Sequence, residues 1–460
     1  MAEALLAELR AALGDGAVAA GADVPERNRS DWSQMPPVTP LAVVRPATPV
    51  EVATAMRLAH RHRVPVVPQG GLTGLAGGAR PVAGGLALSL ERLVGIEEID
   101  ADAATMTVLA GTTLETLQNA AAEAGFMIAI DLGARGSCAV GGNLATNAGG
   151  NRVIRYGMAR EMVLGLEVVL PDGTLVTGLH KMLKNNAGYD LKQLFLGSEG
   201  TLGVITRAVL RLWPLPQVTA AALCGLAGYP AVLRLLRNAR RGLGPILSAF
   251  EVMWPDYWNM ATGRIPGVRR PLAGAHDSYV LIEAQGSDDL DAQRFARWLE
   301  AQLEDGVLED AAVAGSLREV REFWATRDAA SEFRTVLGPH AAYDIGLPVA
   351  AMDDYARDCR LALDQALPGC ASYFYGHIAD GNLHILSLVP GAAPQPMAEM
   401  DEVVYALVRR YGGTISAEHG IGTKKKPYLP YSRSEPELAL MRRLKAALDP
   451  DGLLNPGKVV

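Results

Sequence analysis

Short apolar segments alternate with glycine-rich turns between residues 41 and 213, a pattern typical of strands joined by tight connections. Residues 49–61 instead repeat their apolar positions with helical spacing, and Thr48 and Pro49 supply an N-cap and a first-turn proline. Pro171-Asp172-Gly173 separates two apolar runs and predicts a hairpin turn. Strands are predicted at residues 64–67, 86–90, 105–110 and 166–170.

The pattern changes at Trp213-Pro214-Leu215-Pro216, because closely spaced prolines disfavour continuation of a helix or of a central strand. Beyond this point amphipathic helices are predicted at residues 231–241, 291–304 and 351–366, and strands at residues 278–284 and 371–376. A further helix at residues 436–448 precedes a turn-rich tail. The sequence therefore predicts an α+β fold with domains at residues 1–215 and 216–410 and a C-terminal segment at residues 411–460.

Composition excludes several classes of protein. Apolar residues make up 49% and charged residues 20% of the 460 residues, as in a globular protein of two or three domains. The formal net charge is −7 and the basic residues are scattered, so nucleic acid is not an expected partner. The four cysteines form no Cys-x-x-Cys pair, which favours a reducing, cytoplasmic location. Because no run of roughly 18 uncharged apolar residues occurs and the first residues lack secretion-signal features, we expect no membrane span.

A first glycine cluster follows the strand predicted at residues 64–67. Five glycines occur between Gly70 and Gly78. Residues without a Cβ let backbone N–H groups approach an anion closely, as in loops that hold a pyrophosphate. On composition alone, a flexible surface loop is an equally good interpretation. The cluster therefore predicts a nucleotide site only if other segments support it.

Two further clusters, at residues 131–151 and 197–203, combine glycine with small hydroxyl and amide side chains. Such segments suit close packing of the backbone beside a flat polar ring system. No Gly-x-Gly-x-x-Gly opens a long helix and no Gly-Lys-Ser/Thr occurs in these clusters, so neither a Rossmann domain nor a P-loop is predicted. A nucleotide-binding function therefore requires another fold.

Four segments, PQGGLTGLAGG, DLGARGSCAVGGNLATNAGGNRVIRYG, NNAGYDLKQLFLGSEGTLGVIT and LLNPGK, resemble the vanillyl-alcohol-oxidase superfamily, in its D-2-hydroxyglutarate and D-lactate dehydrogenase branch. The resemblance covers nearly the whole chain. It implies a two-part FAD-binding domain of the PCMH-type fold, an α+β substrate domain and a C-terminal helical segment that returns to the flavin. Because the first glycine-rich loop contains no histidine, we expect noncovalent FAD.

The same resemblance implies a set of FAD-binding residues in the three glycine clusters and the tail. It assigns the pyrophosphate to Gly70, Gly71, Thr73 and Gly74, the isoalloxazine and its linker to Ser137, Gly142, Asn143 and Thr146, the adenine side to Gly200 and Ile205, and the flavin to Asn455. The remaining residues of the predicted FAD site are Pro68, Leu72, Asp131, Gly136, Gly141, Gly149 and Glu199.

Histidines and a glutamate form a second candidate site. His377 and His384 flank a short turn that can fold two imidazoles onto one centre, and Glu418 and His419 follow in a glycine-flanked loop. On residue types alone, ordinary polar groups that satisfy loop backbone are the commoner interpretation. The resemblance implies a divalent metal, zinc, with His377, His384 and Glu418 as ligands. It also implies His419 as the general base and Asn382 as a substrate contact.

Recognition of the substrate carboxylate is assigned by the resemblance to Arg327, whose guanidinium can donate two parallel hydrogen bonds. An exposed helical arginine paired with Asp328 or Glu332 is the alternative. Ser331 stands where the hydroxyglutarate enzymes have a threonine that contacts the substrate. Ala342 replaces a lysine that helps them bind the distal carboxylate. The substrate therefore stays open among D-2-hydroxyglutarate, D-lactate, D-malate and related acids.

The sequence thus predicts an FAD-dependent, metal-assisted dehydrogenase that converts a D-2-hydroxy acid to the 2-oxo acid. Electrons would pass to an external acceptor: an electron-transfer flavoprotein, a quinone or a cytochrome. Any membrane association would come through that acceptor, and a homodimer is the expected assembly. Two alternatives remain, an FAD oxidase that acts on a sugar or aldonate, and the flavin subunit of a larger glycolate-oxidase-like complex.

Overall fold

A computed structural model describes residues 2–460, which form two compact units. The first unit comprises the described residues up to Gly150 together with Gly157–Leu215 and Glu418–Val460. The second unit comprises Asn151–Tyr156 and Pro216–Ala417. None of the helices in residues 2–460 is both long and apolar enough to cross a membrane.

Helices and strands are mixed in both units. Residues 2–460 form fifteen α-helices: α1 Ala2–Leu13, α2 Pro49–Arg61, α3 Leu114–Glu123, α4 Val140–Ala145, α5 Val153–Tyr156, α6 Ala159–Met162, α7 Lys192–Phe195, α8 Tyr229–Gly242, α9 Pro255–Arg264, α10 Asp289–Glu304, α11 Leu317–Asp328, α12 Phe333–Leu337, α13 Met352–Ala366, α14 Met397–Arg410 and α15 Glu435–Leu448. The strands are β1 Val18–Ala20, β2 Ala42–Val44, β3 Val66–Gln69, β4 Leu86–Ser89, β5 Ile96–Asp100, β6 Thr105–Leu109, β7 Phe126–Met127, β8 Val163–Val169, β9 Leu175–Gly178, β10 Val204–Arg211, β11 Trp213–Pro214, β12 Val218–Leu226, β13 Leu247–Met253, β14 Ser278–Gly286, β15 Asp310–Val313, β16 Ala341–Gly346, β17 Ala371–Gly376 and β18 Asn382–Leu388.

The first unit contains a four-stranded sheet in the order β1-β2-β4-β3 and a five-stranded sheet in the order β5-β6-β10-β8-β9. Strand β4 pairs in parallel with both β2 and β3, whereas the five-stranded sheet is antiparallel throughout. All residues of β2 and β4 are buried, as expected for strands covered on both faces. A short pair, β7 with β11, completes the strands of this unit.

The predicted helix at residues 49–61 and the predicted hairpin are confirmed in the first unit. Thr48 caps α2 by accepting the N–H of Glu51. The hairpin joins antiparallel β8 and β9, and Asp172 Oδ1 accepts the N–H of Thr174 at 2.8 Å within the turn. The strand predicted at residues 64–67 begins later, at Val66, because the N–H of Val64 bonds to Ala59 at the end of α2.

The second unit is built on a seven-stranded antiparallel sheet in the order β15-β12-β14-β13-β17-β18-β16. Every residue of β14 is buried. Helices α9, α11 and α12 cover the face that carries Tyr279, whose ring stacks on Trp258 of α9 at 4.1 Å between centroids. The α+β class that the sequence predicts is therefore confirmed.

A short excursion from the first half of the chain belongs to the second unit. Residues Asn151–Tyr156 join it, and Nε of Arg152 donates to Oε1 of Glu283 on β14 at 3.1 Å. Glu283 also accepts from Ser248 and Trp324, so its buried carboxylate is fully engaged. The pattern of apolar positions gives no sign of this excursion, because it depends on several long-range contacts with β14.

Candidate cofactor cleft and histidine pair

The first glycine cluster lines an open cleft in the first unit, with about 920 Å³ of empty space that includes its solvent-exposed mouth. The loop follows β3 directly, and Gly71 lies so close to the second cluster that a Cβ would be 2.0 Å from the carbonyl oxygen of Ser137. Glycine is required at this position because any side chain would collide with that backbone.

Most residues predicted to bind the cofactor lie together on the wall of this cleft. They are Pro68, Gly70, Gly71, Leu72, Thr73, Gly74, Gly141, Gly142, Asn143, Thr146, Glu199, Gly200 and Ile205. The remaining residues of the predicted set do not line it, namely Asp131, Gly136, Ser137, Gly149 and Asn455.

Several of the residues outside the lining shape the wall instead. The amide of Asn455, which has a left-handed φ of 46°, donates to the carbonyls of Gly78 at 3.1 Å and Glu199 at 2.8 Å. Asp131 pairs with Arg135 at 2.9 Å. These contacts hold the segments that form the cleft in register.

The wall of the cleft carries an acceptor that a bound molecule can satisfy, and it also carries a thiol. Oδ1 of Asn143 is buried and has no hydrogen-bond partner within residues 2–460. A buried carbonyl oxygen without a partner is costly, and a cofactor with a ring N–H can satisfy it. Cys138 also lines the cleft, and burial raises the pKa of its thiol. Cys138 belongs to the second glycine cluster, but it is not among the residues predicted to bind FAD.

His419 lies on the wall of the same cleft. Its loop is anchored to other parts of the first unit: Oε1 of Glu418 accepts the N–H of Gly150 at 3.0 Å. The N–H groups of Ile421 and Gly422 donate to the carboxylate of Glu199, each at 2.7 Å. An imidazole is therefore presented to the space that the predicted cofactor residues surround.

His377 and His384 lie together in the second unit. The turn between them is a short 3-10 segment closed by Gly381 at a φ of 92°, after which β18 begins. Both histidines are buried, their ring centroids are 5.3 Å apart, and their ligand nitrogens approach within 4.8 Å. Two imidazoles this close could hold one metal ion after a small closing movement, because nitrogens that share a zinc ion are no more than about 4.2 Å apart.

The buried carboxylate of Glu251 orients His377 and Arg327. Its Oε1 accepts from Nδ1 of His377 and its Oε2 from Nε of Arg327, both at 2.7 Å. Burial opposes ionisation of Glu251, but its contacts with His377 and Arg327 outweigh it and lower the pKa of Glu251 to about 2. With its Nδ1 proton donated to Glu251, His377 accepts a bond at Nε2 from Nη2 of Arg327, at 2.7 Å.

Sequence reasoning missed Glu251, although a signal was present. It is the one charged residue of the fully buried strand β13, LSAFEVM. A carboxylate in a fully buried strand is almost always paired, and its partners here are two residues of the predicted site. Arg327 also contacts Asp328 at 3.2 Å, so the alternative pairing considered for it exists beside the contact with Glu251.

The other residues predicted to contact the substrate have different surroundings. Asn382 is buried and donates to Oδ1 of Asp344 at 2.8 Å, and that oxygen is 4.0 Å from Nδ1 of His384. Ser331 is exposed and donates to the carbonyl of Asp328 at 2.9 Å. Asn382 therefore supports the neighbour of His384, and Ser331 remains at the surface.

The residues just before Glu418 in the chain make hydrogen bonds within the second unit. Thr414 pairs with Gly346 on β16, and Oγ of Ser416 donates to Oδ2 of Asp344 at 3.4 Å. Glu418 follows two residues later.

Two regions of the chain match family models. Residues 215–459 match "FAD linked oxidases, C-terminal domain", and residues 40–178 match "FAD binding domain". Among similar proteins is the mitochondrial D-2-hydroxyglutarate dehydrogenase of Bos taurus, 40% identical over 94% of this chain and 78% of its own. D-2-hydroxyglutarate dehydrogenase of Xanthomonas citri pv. viticola is 39% identical over 93% of this chain and 91% of its own.

Solved structures with low sequence identity have a similar fold. 4-Ethylphenol oxidase from Gulosibacter chungangensis superposes with a TM-score of 0.77 at 18% identity, and p-cresol methylhydroxylase with 0.78 at 17%. Each comparison covers 99% of this chain and 96% of the other. The PCMH-type fold that the resemblance implies is therefore confirmed.

Proposed function

Because the chain belongs to the FAD-linked D-2-hydroxy-acid dehydrogenases, we propose that it oxidises a D-2-hydroxy acid with a divalent metal held by His377, His384 and Glu418. The protein is an FAD-dependent oxidoreductase that acts on a CH–OH group. The observation that carries the finer proposal is the buried pair His377 and His384, with Glu251 orienting one of the two rings.

The cleft of the first unit fits FAD. Glycines that line it let the backbone approach a pyrophosphate. Oδ1 of Asn143 is a buried acceptor that a donor of the cofactor can satisfy. When bound, FAD supplies the acceptor for the hydride that leaves C2 of the substrate. Since no side chain of the first glycine loop is a histidine, we propose that the cofactor is held noncovalently.

The donor set of the second unit fits a divalent metal. The bond from Nδ1 of His377 to Glu251 is the arrangement that orients ligand histidines in metal sites and leaves Nε2 for the ion. We propose Glu418 as the third ligand. It follows two residues after Ser416, which bonds to Asp344, and two residues of extended chain span about 7 Å. A bound metal supplies the Lewis acid that makes the substrate hydroxyl more acidic.

Arg327 would serve the substrate carboxylate. Its Nε is held by Glu251, while its Nη2 bonds to Nε2 of His377, the atom proposed as a metal ligand. Once that nitrogen serves as a ligand, Nη2 of Arg327 must give up this bond. The guanidinium then has Nη2 available for a carboxylate, while Glu251 and Asp328 keep it in place.

His419 would take the proton of the substrate hydroxyl. It lies on the wall of the cleft that fits FAD, which is where a base for hydride donation to flavin has to stand. We further propose that electrons leave through an external carrier, that the protein works in the cytoplasm, and that it forms a homodimer.

The decisive experiment is a substrate panel on the purified, FAD-loaded protein. D-lactate, D-malate, D-2-hydroxyglutarate and larger D-2-hydroxy acids are added without oxygen, with the L enantiomers as controls. We expect at least one D acid to bleach the flavin and to reduce an artificial dye, with little peroxide formed in air. Peroxide release as fast as dye reduction would identify an oxidase instead, and no bleaching by any D acid contradicts the proposal.

The preference of the enzyme for one substrate side chain over another should depend on the residue at position 342. Ala342 is exposed on β16 and lies opposite Leu386, two residues along the strands from the pair Asp344 and His384. Neither Ala342 nor Leu386 can pair with a second carboxylate. We expect Ala342→Lys to raise kcat/KM for D-2-hydroxyglutarate relative to D-lactate by about tenfold, the effect of one charge-assisted hydrogen bond.

The matched control is Ala398→Lys, which adds the same charge at an exposed position of α14 in the same unit. Steady-state kinetics with both acids measure the ratio. An equal change in the two lysine variants would show that position 342 has no special contact with the substrate.

A further inference from the structure

A buried carboxylate, that of Glu199, joins the wall of the cofactor cleft to the loop that carries His419. Glu199 and His419 both line the cleft. Oε1 of Glu199 accepts the N–H of Ile421 and Oε2 accepts the N–H of Gly422, each at 2.7 Å. One carboxylate thus binds two successive peptide groups just after His419.

The backbone of Glu199 is itself fixed in a strained position. Its φ is +53°, in the left-handed region that residues with a Cβ rarely adopt. Its N–H donates to Ala145 at 2.8 Å and its carbonyl accepts from Asn455 at 2.8 Å. Strain of this kind persists only where the surrounding contacts require it, and it is concentrated at functional sites.

The loop is closely packed from its other side as well. Gly420 has a φ of +76°, and a Cβ there would lie 2.8 Å from the carboxyl carbon of Glu199. A Cβ on Gly422 would lie 2.1 Å from the carbonyl oxygen of Ala76, which also accepts the N–H groups of Thr423 and Lys424. The segment after His419 is therefore held by the same glycine loop and carboxylate that form the cleft.

The charge environment suits a buried acceptor. Burial raises the pKa of Glu199, and the two N–H donors, Lys425 and Lys458 act in the opposite direction. Each of the two backbone donors meets a different oxygen of Glu199, so both oxygens must be acceptors. A carboxamide would offer only one and would turn an N–H donor toward the other peptide N–H.

We propose that Glu199 is the positioning residue that sets where His419 stands relative to the flavin. The role rests on the proposed function, since it matters for catalysis only if His419 takes the substrate proton. Glu199 acts through the loop backbone and not on the substrate.

The test compares Glu199→Gln with Glu199→Asp and with a matched control, Glu167→Gln. Glu167 is buried in β8 of the same unit, where it accepts from Thr177 at 2.9 Å and Thr206 at 3.0 Å, and it does not line the cleft. Three quantities are measured on FAD-loaded protein: FAD content, hydrogen exchange of the amides of Ile421 and Gly422, and the rate of anaerobic flavin reduction by a D-2-hydroxy acid.

We expect Glu199→Gln to keep FAD, to exchange these two amides about tenfold faster, and to reduce flavin about 100-fold more slowly. Glu199→Asp, which keeps both oxygens on a shorter stem, should restore part of both losses. Glu167→Gln should behave like the wild type. The amide exchange does not depend on turnover, so it tests the contact between Glu199 and the loop even if no D-2-hydroxy acid bleaches the wild-type flavin. Absence of bleaching in the wild type would contradict the proposed function alone.

Three results would overturn the role of Glu199. One is unchanged exchange in Glu199→Gln, and another is faster exchange with an unchanged reduction rate. The third is loss of FAD from both Glu199 variants, which would make Glu199 a cofactor-retention residue. If Glu199→Gln does not fold, the same comparison of exchange and rate in Glu199→Asp decides the question.

Discussion

Replacement of His419 by alanine should leave FAD bound and slow flavin reduction by the hydroxy acid by about 10²–10⁴-fold, the usual contribution of a general base. His419 lines the cleft proposed for FAD, and its loop is held by backbone contacts of Ile421 and Gly422 that the substitution does not touch. The flavin spectrum measures cofactor content, and anaerobic stopped-flow absorbance measures the reduction rate.

His62→Ala is the control for this variant. His62 belongs to the same unit and its imidazole bonds to Glu8 at 3.2 Å, without lining the cleft. It should reduce flavin at the wild-type rate. A His419→Ala enzyme that reduces flavin within about twofold of the wild type would remove His419 from the chemistry, because no general base is worth so little.

Removal of the metal should be equally damaging. We expect treatment with a strong chelator, or the substitution His384→Ala, to slow flavin reduction by about 10³-fold or more, because the hydroxyl then loses its Lewis acid. Zinc or another divalent ion should restore the chelated wild type. It should not restore His384→Ala, whose remaining ligands are too few to hold the ion.

The matched control is His276→Ala in the same unit. His276 bonds to Glu309 at 2.7 Å and is not part of the pair formed by His377 and His384. Metal content by elemental analysis accompanies each rate. Full turnover by protein that has been shown to contain no metal would falsify the metal-assisted mechanism, whatever the fate of the FAD assignment.

Local features of the fold were predictable because their causes are local. Helix α2 follows from its apolar spacing and the cap at Thr48, and the hairpin between β8 and β9 follows from Pro171-Asp172-Gly173. The turn that brings His377 and His384 together also lies within eight consecutive residues. In each case the interacting groups are neighbours in the chain, so the order of residue types specifies the geometry.

Membership of the cleft was predictable only in part. Gly70, Gly71 and Gly74 line it as their cluster suggested, but Asn455 acts one step away by holding Gly78 and Glu199. A residue that lines a cavity and one that braces its wall have the same sequence signature. Only the packed structure distinguishes them, because they differ in whether the residue faces the cavity or its wall, and not in residue type.

By itself the sequence determined the α+β class, several of the longer helices and strands, the glycine-rich segments that line the cleft and the two histidines that share a turn. The tertiary structure decided which carboxylates bond to the site. Glu251 accepts a hydrogen bond from His377, 126 positions away in the chain, and Glu199 accepts one from Ile421, 222 positions away. Long-range partners of buried charges leave no periodic pattern, since each depends on how whole elements pack. Such pairing is nevertheless obligatory, because a buried carboxylate without donors would destabilise the fold.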